Sequence, residues 1–237
     1  MSADDRPGPE LRRIIARTRH LLLDFDGPMC DVYAGTSAPT VADELRASLK
    51  DLPLPTHALS DDDPLEVLKA AAMLGPEAAA RAQEAFVRLE VQAVSTARPT
   101  AGAAGLMATA HGSGRSVAIV SNNSGQAVSA YLAAHDLTGY VHAVFGRDDP
   151  DPAKLKPDPY RVRQAIVFLE AEATECVLVG DSVSDVTAAH AAGIKAIGYA
   201  NKPGKVDQLG SAGAEAITAS MTAIAQAASV GNRYIGR

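Results

Sequence analysis

The sequence predicts an α/β protein: a doubly wound parallel sheet with a small all-helical insert. Three observations carry this expectation. From Pro99 onward, short apolar runs alternate with helical stretches, the pattern of strand–helix–strand crossovers. The runs LLLDF, SVAIVS and CVLVG are apolar without alternation, as strands covered on both faces are. Between Thr36 and about Ala97 the pattern is helical, with no convincing strand.

Taken in order, residues 9–18 read as a short helix leading into a buried strand at 20–25. Segments 38–50, 63–74 and 76–97 have helical periodicity, are rich in Ala, Leu and Glu, and are divided by Pro and Gly breaks. The stretch DLPLPTHALSDDDP between the first two is a loop, with Asp61 to Asp63 capping the helix that begins at Pro64. A helix at 100–112 runs into HGSGR, whose glycines suit a C-terminal cap. Strands follow at 116–121, 142–146, 176–180 and 194–200, with helices at 124–136, 159–170 and 183–192 between them. A short strand at 215–217 and a helix from about 219 come last. The implied division gives residues 1–31 and 99–237 to the sheet-bearing core and 32–98 to the helical insert.

Composition narrows the function classes. The 237 residues are 47% hydrophobic and 21% charged, a globular balance. A net charge of −6 argues against nucleic acid as a partner, and 4% aromatics with no Trp are too few for a base-stacking platform. Cys30 and Cys176 do not make a disulfide framework. The start, MSADDRPGPELRRIIARTRH, has acids where a secretory leader needs basic residues, and RRIIARTR reads as a solvated helix face. No run reaches the roughly 18 apolar residues of a membrane span. The expectation is a cytoplasmic protein with no membrane or nucleic-acid partner.

In open parallel sheets, ligands bind beyond the carboxyl ends of the strands. Here those ends carry Asp24 and Asp26, then Ser121 and Asn122, then Asp181, while KLKPDP at 154–159 brings Lys156 to the start of a helix. Three carboxylates at one edge repel one another unless a proton or cation is present, and hard oxygen ligands suit Mg2+. A lysine with hydroxyl and amide donors adds what a phosphoryl group requires.

The motifs DFDGP, SNNS, KPDP and GDSVSD, in that order, resemble the haloacid dehalogenase-like superfamily of phosphohydrolases, with its Rossmann-like core. The resemblance runs from Leu21 to about Ile217, and is nearest to the phosphoglycolate phosphatase and β-phosphoglucomutase branch. The insert resembles that family's mobile cap, of the type placed after the first motif. The resemblance implies that Asp24 is a nucleophile forming an aspartyl-phosphate, and that Asp26 is the general acid and then the base. Residues two apart in an extended chain project to the same side, which suits that division of labour. It further implies Mg2+ held by the side chains of Asp24 and Asp181 and by the Asp26 backbone carbonyl. Asp185 would hold metal waters or orient the lysine, Ser121 and Asn122 would grip phosphoryl oxygens, and Lys156 would neutralise nucleophile and phosphate. The substrate implied is a small phosphorylated metabolite. Asp26 favours ester hydrolysis over dehalogenation, because a halide leaves without a proton.

The departure is Pro28, where the family commonly has threonine: either it shapes the turn, or it weakens the site and leaves a binding protein. A phosphomutase, or a phosphonate hydrolase using Lys50 or Lys69 as a Schiff base, would keep the same fold. Lys154 competes with Lys156, but only Lys156 adjoins Pro157. Asp148, Asp149 and Asp151 read as a solvated loop, and Cys30 as a packing residue. His111, His135, His142 and His190 show no metal-ligand spacing. Arg46, Lys50 and Arg98 are either surface charge or contacts for a second anionic group.

Overall fold

A computed structural model describes residues 6–229. The expectation of no leader rests partly on residues 1–5, which lie outside the described residues. Helix α1 (Pro9–Ile15) leads into strand β1 (His20–Leu23). A two-residue strand β2 (Cys30–Asp31), helices α2 (Ala38–Ser48), α3 (Pro64–Ala72) and α4 (Pro76–Val94), and a two-residue strand β3 (Arg98–Pro99) follow. The chain then alternates through α5 (Ala103–Gly112), β4 (Ser116–Val120), α6 (Gly125–Ala134), β5 (Ala143–Phe145), α7 (Tyr160–Phe168) and β6 (Cys176–Gly180). It ends with α8 (Val183–Ala191), β7 (Lys195–Tyr199), α9 (Lys205–Ser211), β8 (Ala216–Thr218) and α10 (Met221–Ser229).

Six parallel strands form one sheet in the order β5-β4-β1-β6-β7-β8. The continuous apolar runs have a direct reading here, because alternate residues of one strand feed two different cores. Leu21 and Leu23 of β1 join Val117, Ile119, Val177 and Val179 on the face covered by α1, α5, α6 and α10. Leu22 joins Ala118, Val120 and Leu178 on the face covered by α7, α8 and α9. All three leucines are essentially inaccessible, each worth about 1.5–3 kcal/mol of burial. The chain builds outward from β1 to β5, then crosses back and builds outward again from β6. Strand order therefore reverses around β1, with the carboxyl ends of β4, β1 and β6 side by side.

Helices α2, α3 and α4 close a third core of their own, with Val41, Leu45, Val67, Leu68 and Phe86 buried in it. Ser37 and Asp63 cap α2 and α3 through their side chains. Among the described residues no helix is long and apolar enough to cross a membrane.

Three local features differ from the sequence expectation. Strand β1 ends at Leu23 rather than 25, because the Phe25 carbonyl turns to accept the Met29 and Cys30 N–H groups at 3.0 and 3.3 Å. The chain enters and leaves the helical insert through an antiparallel ribbon, Cys30 opposite Pro99 and Asp31 opposite Arg98. Helix α9, seven residues containing a glycine, was not anticipated. The cap expected of HGSGR forms at Gly114, at φ +74°, with Arg115 N–H reaching back to the Ala110 carbonyl at 2.9 Å.

Candidate active site

The reversal of strand order places Asp24, Ser121 and Asp181 at adjoining strand ends, on the wall of a cavity of about 880 Å3. Tyr33, Pro39, Asp63 and Phe86 of the helical insert line its other side. Asp24 continues the line of β1, its N–H bonding the Val179 carbonyl at 2.9 Å, and its Oδ1 accepts from Phe25 N–H at 2.7 Å. The Lys156 ammonium lies 2.8 Å from that same oxygen and 2.5 Å from Asp185 Oδ1, and it donates to the Val120 carbonyl at 3.1 Å. Lys154 instead pairs with Asp149 at 3.1 Å, at the surface.

Asp185 sits in the first turn of α8 and is 1% exposed. Its Oδ2 accepts from the Ser182 N–H and hydroxyl at 3.1 and 2.7 Å, forming a capping box, so both of its oxygens are engaged. Gly180 permits this closeness, since a Cβ there would lie 2.3 Å from the Asp185 Cβ. Gly27 does the same for Asp181: at φ +98°, its absent Cβ would fall 2.5 Å from the Asp181 Cγ. The Asp181 carboxylate is held by Asn201 Nδ2 at 3.0 Å and by the Lys205 ammonium.

Oxygens of Asp24, Asp181 and Asp185 come within 4.8 Å of one another. This acceptor-only donor set fits a hard divalent cation such as Mg2+. Both oxygens of Asp185 are already engaged by Lys156 and Ser182, whereas the contacts of Asp24 and of Asp181 each fall on one carboxylate oxygen. No histidine joins a metal-type cluster among the described residues.

The electrostatics raise both aspartates of the first motif. Burial, reinforced by Asp185, pushes the Asp24 carboxyl up to about 7 against the opposing pull of Lys156. Burial also raises Asp26 to about 6, although the Val32 N–H, 3.0 Å from its Oδ1, stabilises its anion. Burial pulls the Lys156 ammonium down, but Asp185 and Asp24 outweigh it and hold it above the ordinary lysine value.

Ser121 is buried, donates its hydroxyl to Asn123 Oδ1 at 3.2 Å, and receives Asn123 N–H at 3.2 Å. The Asn122 side chain does not reach into the cavity as a free amide. Its Oδ1 accepts the Lys156 N–H at 2.9 Å and its Nδ2 donates to the Lys156 carbonyl at 3.3 Å, clamping the lysine's backbone. Pro28 lies in a turn stitched from the residue after β3: Thr100 donates its hydroxyl to the Gly27 carbonyl at 2.6 Å and its N–H to the Met29 carbonyl at 3.0 Å. Cys30 is fully buried, and burial raises its thiol, consistent with packing. Arg98 faces Asp31 at 2.8 Å, and Arg46 is taken up by Asp43 and by the carbonyls of Ala58 and Asp61.

Sequence reasoning missed Asn201 and Lys205 on Asp181, and a buried pair, Glu90 and Arg147, behind the Ser121 loop. Each is an isolated polar residue whose partner is distant in the chain, so no local pattern marks it.

The family model described as haloacid dehalogenase-like hydrolase matches residues 69–199, more than half of the chain. The chain belongs to this family. It is 36% identical over 115 residues to a plasmid-encoded phosphoglycolate phosphatase of Cupriavidus necator, covering 47% of each protein. The match thus spans about half the length of that curated relative. The fold is similar to that of CbbY from Rhodobacter sphaeroides, solved with xylulose-(1,5)bisphosphate: TM-score 0.67, 20% identity, 86% of this chain and 95% of that one. It is also similar to a hydrolase from Pseudomonas syringae, at TM-score 0.65 and 20% identity, over 84% of this chain and 93% of that one. For this haloacid dehalogenase-like hydrolase, the four motifs thus fall around a single cavity at the strand ends.

Proposed function

We propose that the chain is a Mg2+-dependent phosphomonoester hydrolase, acting on a small phosphorylated metabolite through an aspartyl-phosphate on Asp24. The observation that carries the reading is the buried Asp24 carboxylate, paired with Lys156 and grouped with Asp181 and Asp185 on the wall of a half-open cavity. Asp24 and Asp181 would hold the cation, with the Asp26 backbone carbonyl. Bound there, Mg2+ supplies positive charge that lets a phosphoryl dianion approach a carboxylate.

The chain's own residues do the rest. Asp24 attacks phosphorus, while Lys156 neutralises the charge gathering on nucleophile and phosphoryl oxygens. Ser121 would turn its single hydroxyl hydrogen from Asn123 Oδ1 to one phosphoryl oxygen. With the Asn122 amide spent on Lys156, its backbone N–H is the group left to serve a second. Asp26, raised to about 6, keeps a protonated fraction near neutral pH and gives that proton to the leaving alkoxide. It then takes a proton from the water that hydrolyses the aspartyl-phosphate. Asp185 orients Lys156 rather than meeting the metal.

Residues 1–31 and 99–237 form the catalytic core in this reading, and 32–98 a cap that excludes bulk water. The phosphoglycolate phosphatase relative and the sugar bisphosphate bound to CbbY both support a small phosphorylated substrate. A cytoplasmic setting accords with two buried free thiols. The phosphonate alternative has little to stand on: Lys50 and Lys69 do not line the cavity, and Lys69 pairs with Glu66 at 2.6 Å. Thr100 holding the Gly27–Met29 turn supports Pro28 as a turn-shaping residue.

Phosphate release from an aryl phosphate, with and without Mg2+, tests the reading in the wild type and in Asp24→Asn. Mg2+-dependent release that disappears in Asp24→Asn is expected. Equal inertness of both proteins across a panel of phosphorylated metabolites, with ligands still bound, would establish a binding protein instead.

A further inference from the structure

Glu90 lies on α4 and Arg147 in the loop after β5, and both side chains are 0% exposed. Burying a carboxylate and a guanidinium is costly unless each polar atom is matched. Here they are matched to one loop. Glu90 Oε2 accepts from Arg147 Nη2 at 2.6 Å and from Ser124 N–H at 3.0 Å, and its Oε1 accepts from Asn123 Nδ2 at 3.1 Å. Arg147 donates its Nε to the Asn122 carbonyl at 3.0 Å and its Nη1 to Gln83, and its backbone N–H bonds the Asn123 carbonyl at 2.8 Å. Its guanidinium carbon sits 4.2 Å from the centre of the Phe86 ring. Asn122, Asn123 and Ser124 are thus each held by a member of the pair. Because Glu90 only accepts, it fixes which way the Asn123 amide faces: Nδ2 toward Glu90, Oδ1 toward the Ser121 hydroxyl at 3.2 Å.

We propose that Glu90 and Arg147 are positioning residues that set the Ser121–Ser124 loop from the cap side. Seating of α4 and assembly of the phosphoryl grip are then one event. This rests on the reading of that loop as phosphoryl-binding. A cap that swung away with α4 would carry Glu90 off and release the loop.

The test compares Glu90→Gln, the double variant Glu90→Leu/Arg147→Met, and Glu84→Gln, an exposed change on the same helix. Three quantities are measured: amide exchange over residues 121–125, inhibition by inorganic phosphate with Mg2+ present, and kcat and KM for an aryl phosphate. Glu90→Gln should speed exchange in the loop and raise the phosphate inhibition constant about tenfold, the scale of one charge-assisted hydrogen bond. KM should move more than kcat, and Glu84→Gln should match the wild type. The double variant replaces the ion pair with apolar volume against Phe86, so it should stay folded while losing the same loop protection. Wild-type exchange and phosphate affinity in a folded double variant would overturn the proposal. Loop exchange that responds to Glu90 in a protein that binds no phosphate would keep the positioning role and defeat the phosphoryl reading.

Discussion

Replacing Lys156 with methionine removes one positive charge from between two acids while keeping most of the side-chain volume. The ammonium is 2.8 Å from Asp24 Oδ1 and 2.5 Å from Asp185 Oδ1, on a side chain only 3% exposed. Without it, two carboxylates whose oxygens lie within 4.8 Å face each other. Their repulsion is about 3.5 kcal/mol at an effective dielectric constant near 20. That agrees with the ~3–5 kcal/mol typical of breaking a buried ion pair from one side. The loss depends on pH, and its sign follows from Asp24. The folded carboxyl, at about 7, lies above its ordinary 3.8, so the native state binds more protons between those values and stability falls as pH rises through them. Removing the ammonium raises Asp24 further. The variant's Asp24 then stays protonated at pH 8, so the variant should lose about 1.4 kcal/mol more against wild type at pH 8 than at pH 5, where Asp24 is neutral in both proteins. Urea unfolding at both pH values measures this, and Mg2+ at pH 8 should restore part of the loss. A penalty under about 1 kcal/mol at pH 8, or one equal at both pH values, would refute the account of Lys156 as the counter-charge of this site.

Gly27→Ala and Gly75→Ala make a matched pair, since both glycines have positive φ, +98° and +117°. Each should lose about 1–2 kcal/mol to backbone strain. Only Gly27→Ala drives a Cβ into the Asp181 carboxylate, so calorimetric titration should show weakened Mg2+ binding there and not in Gly75→Ala. The fall of kcat/KM on the alkaline side should follow Asp26, which must be protonated to act as an acid. Lys202 lowers the Asp26 carboxyl, so Lys202→Met should move that limb to higher pH; a shift the other way, read from pH–rate profiles, would show that another group sets it.

The sheet was legible because its strands are buried on both faces, which leaves unbroken apolar runs such as LLL and CVLVG. The strand-end acids were legible because each follows such a run directly. Lys156 could be preferred to Lys154 from its place beside Pro157, and it is Lys156 that meets Asp24 while Lys154 stays at the surface. The ribbon β2–β3 was not legible, since two residues per strand carry no periodicity. Glu90 reads in sequence as one more charge on a polar helix. Its burial is decided by Arg147, 57 residues away, and no local pattern encodes that pairing. Asn122 shows the same limit: its type suggested a phosphate donor, but its amide is spent on the Lys156 backbone.

The ribbon makes the helical insert a side branch hung on two rungs, the outer one nearest the insert. Asp31 and Arg98 sit opposite each other, so the chain departs and returns within about 5 Å, and whatever lies between can change length or identity without stretching the sheet. A foreign bundle of helices grafted at that rung would meet an intact set of strand-end acids. It would also inherit one obligation, a carboxylate placed where Glu90 now answers Arg147.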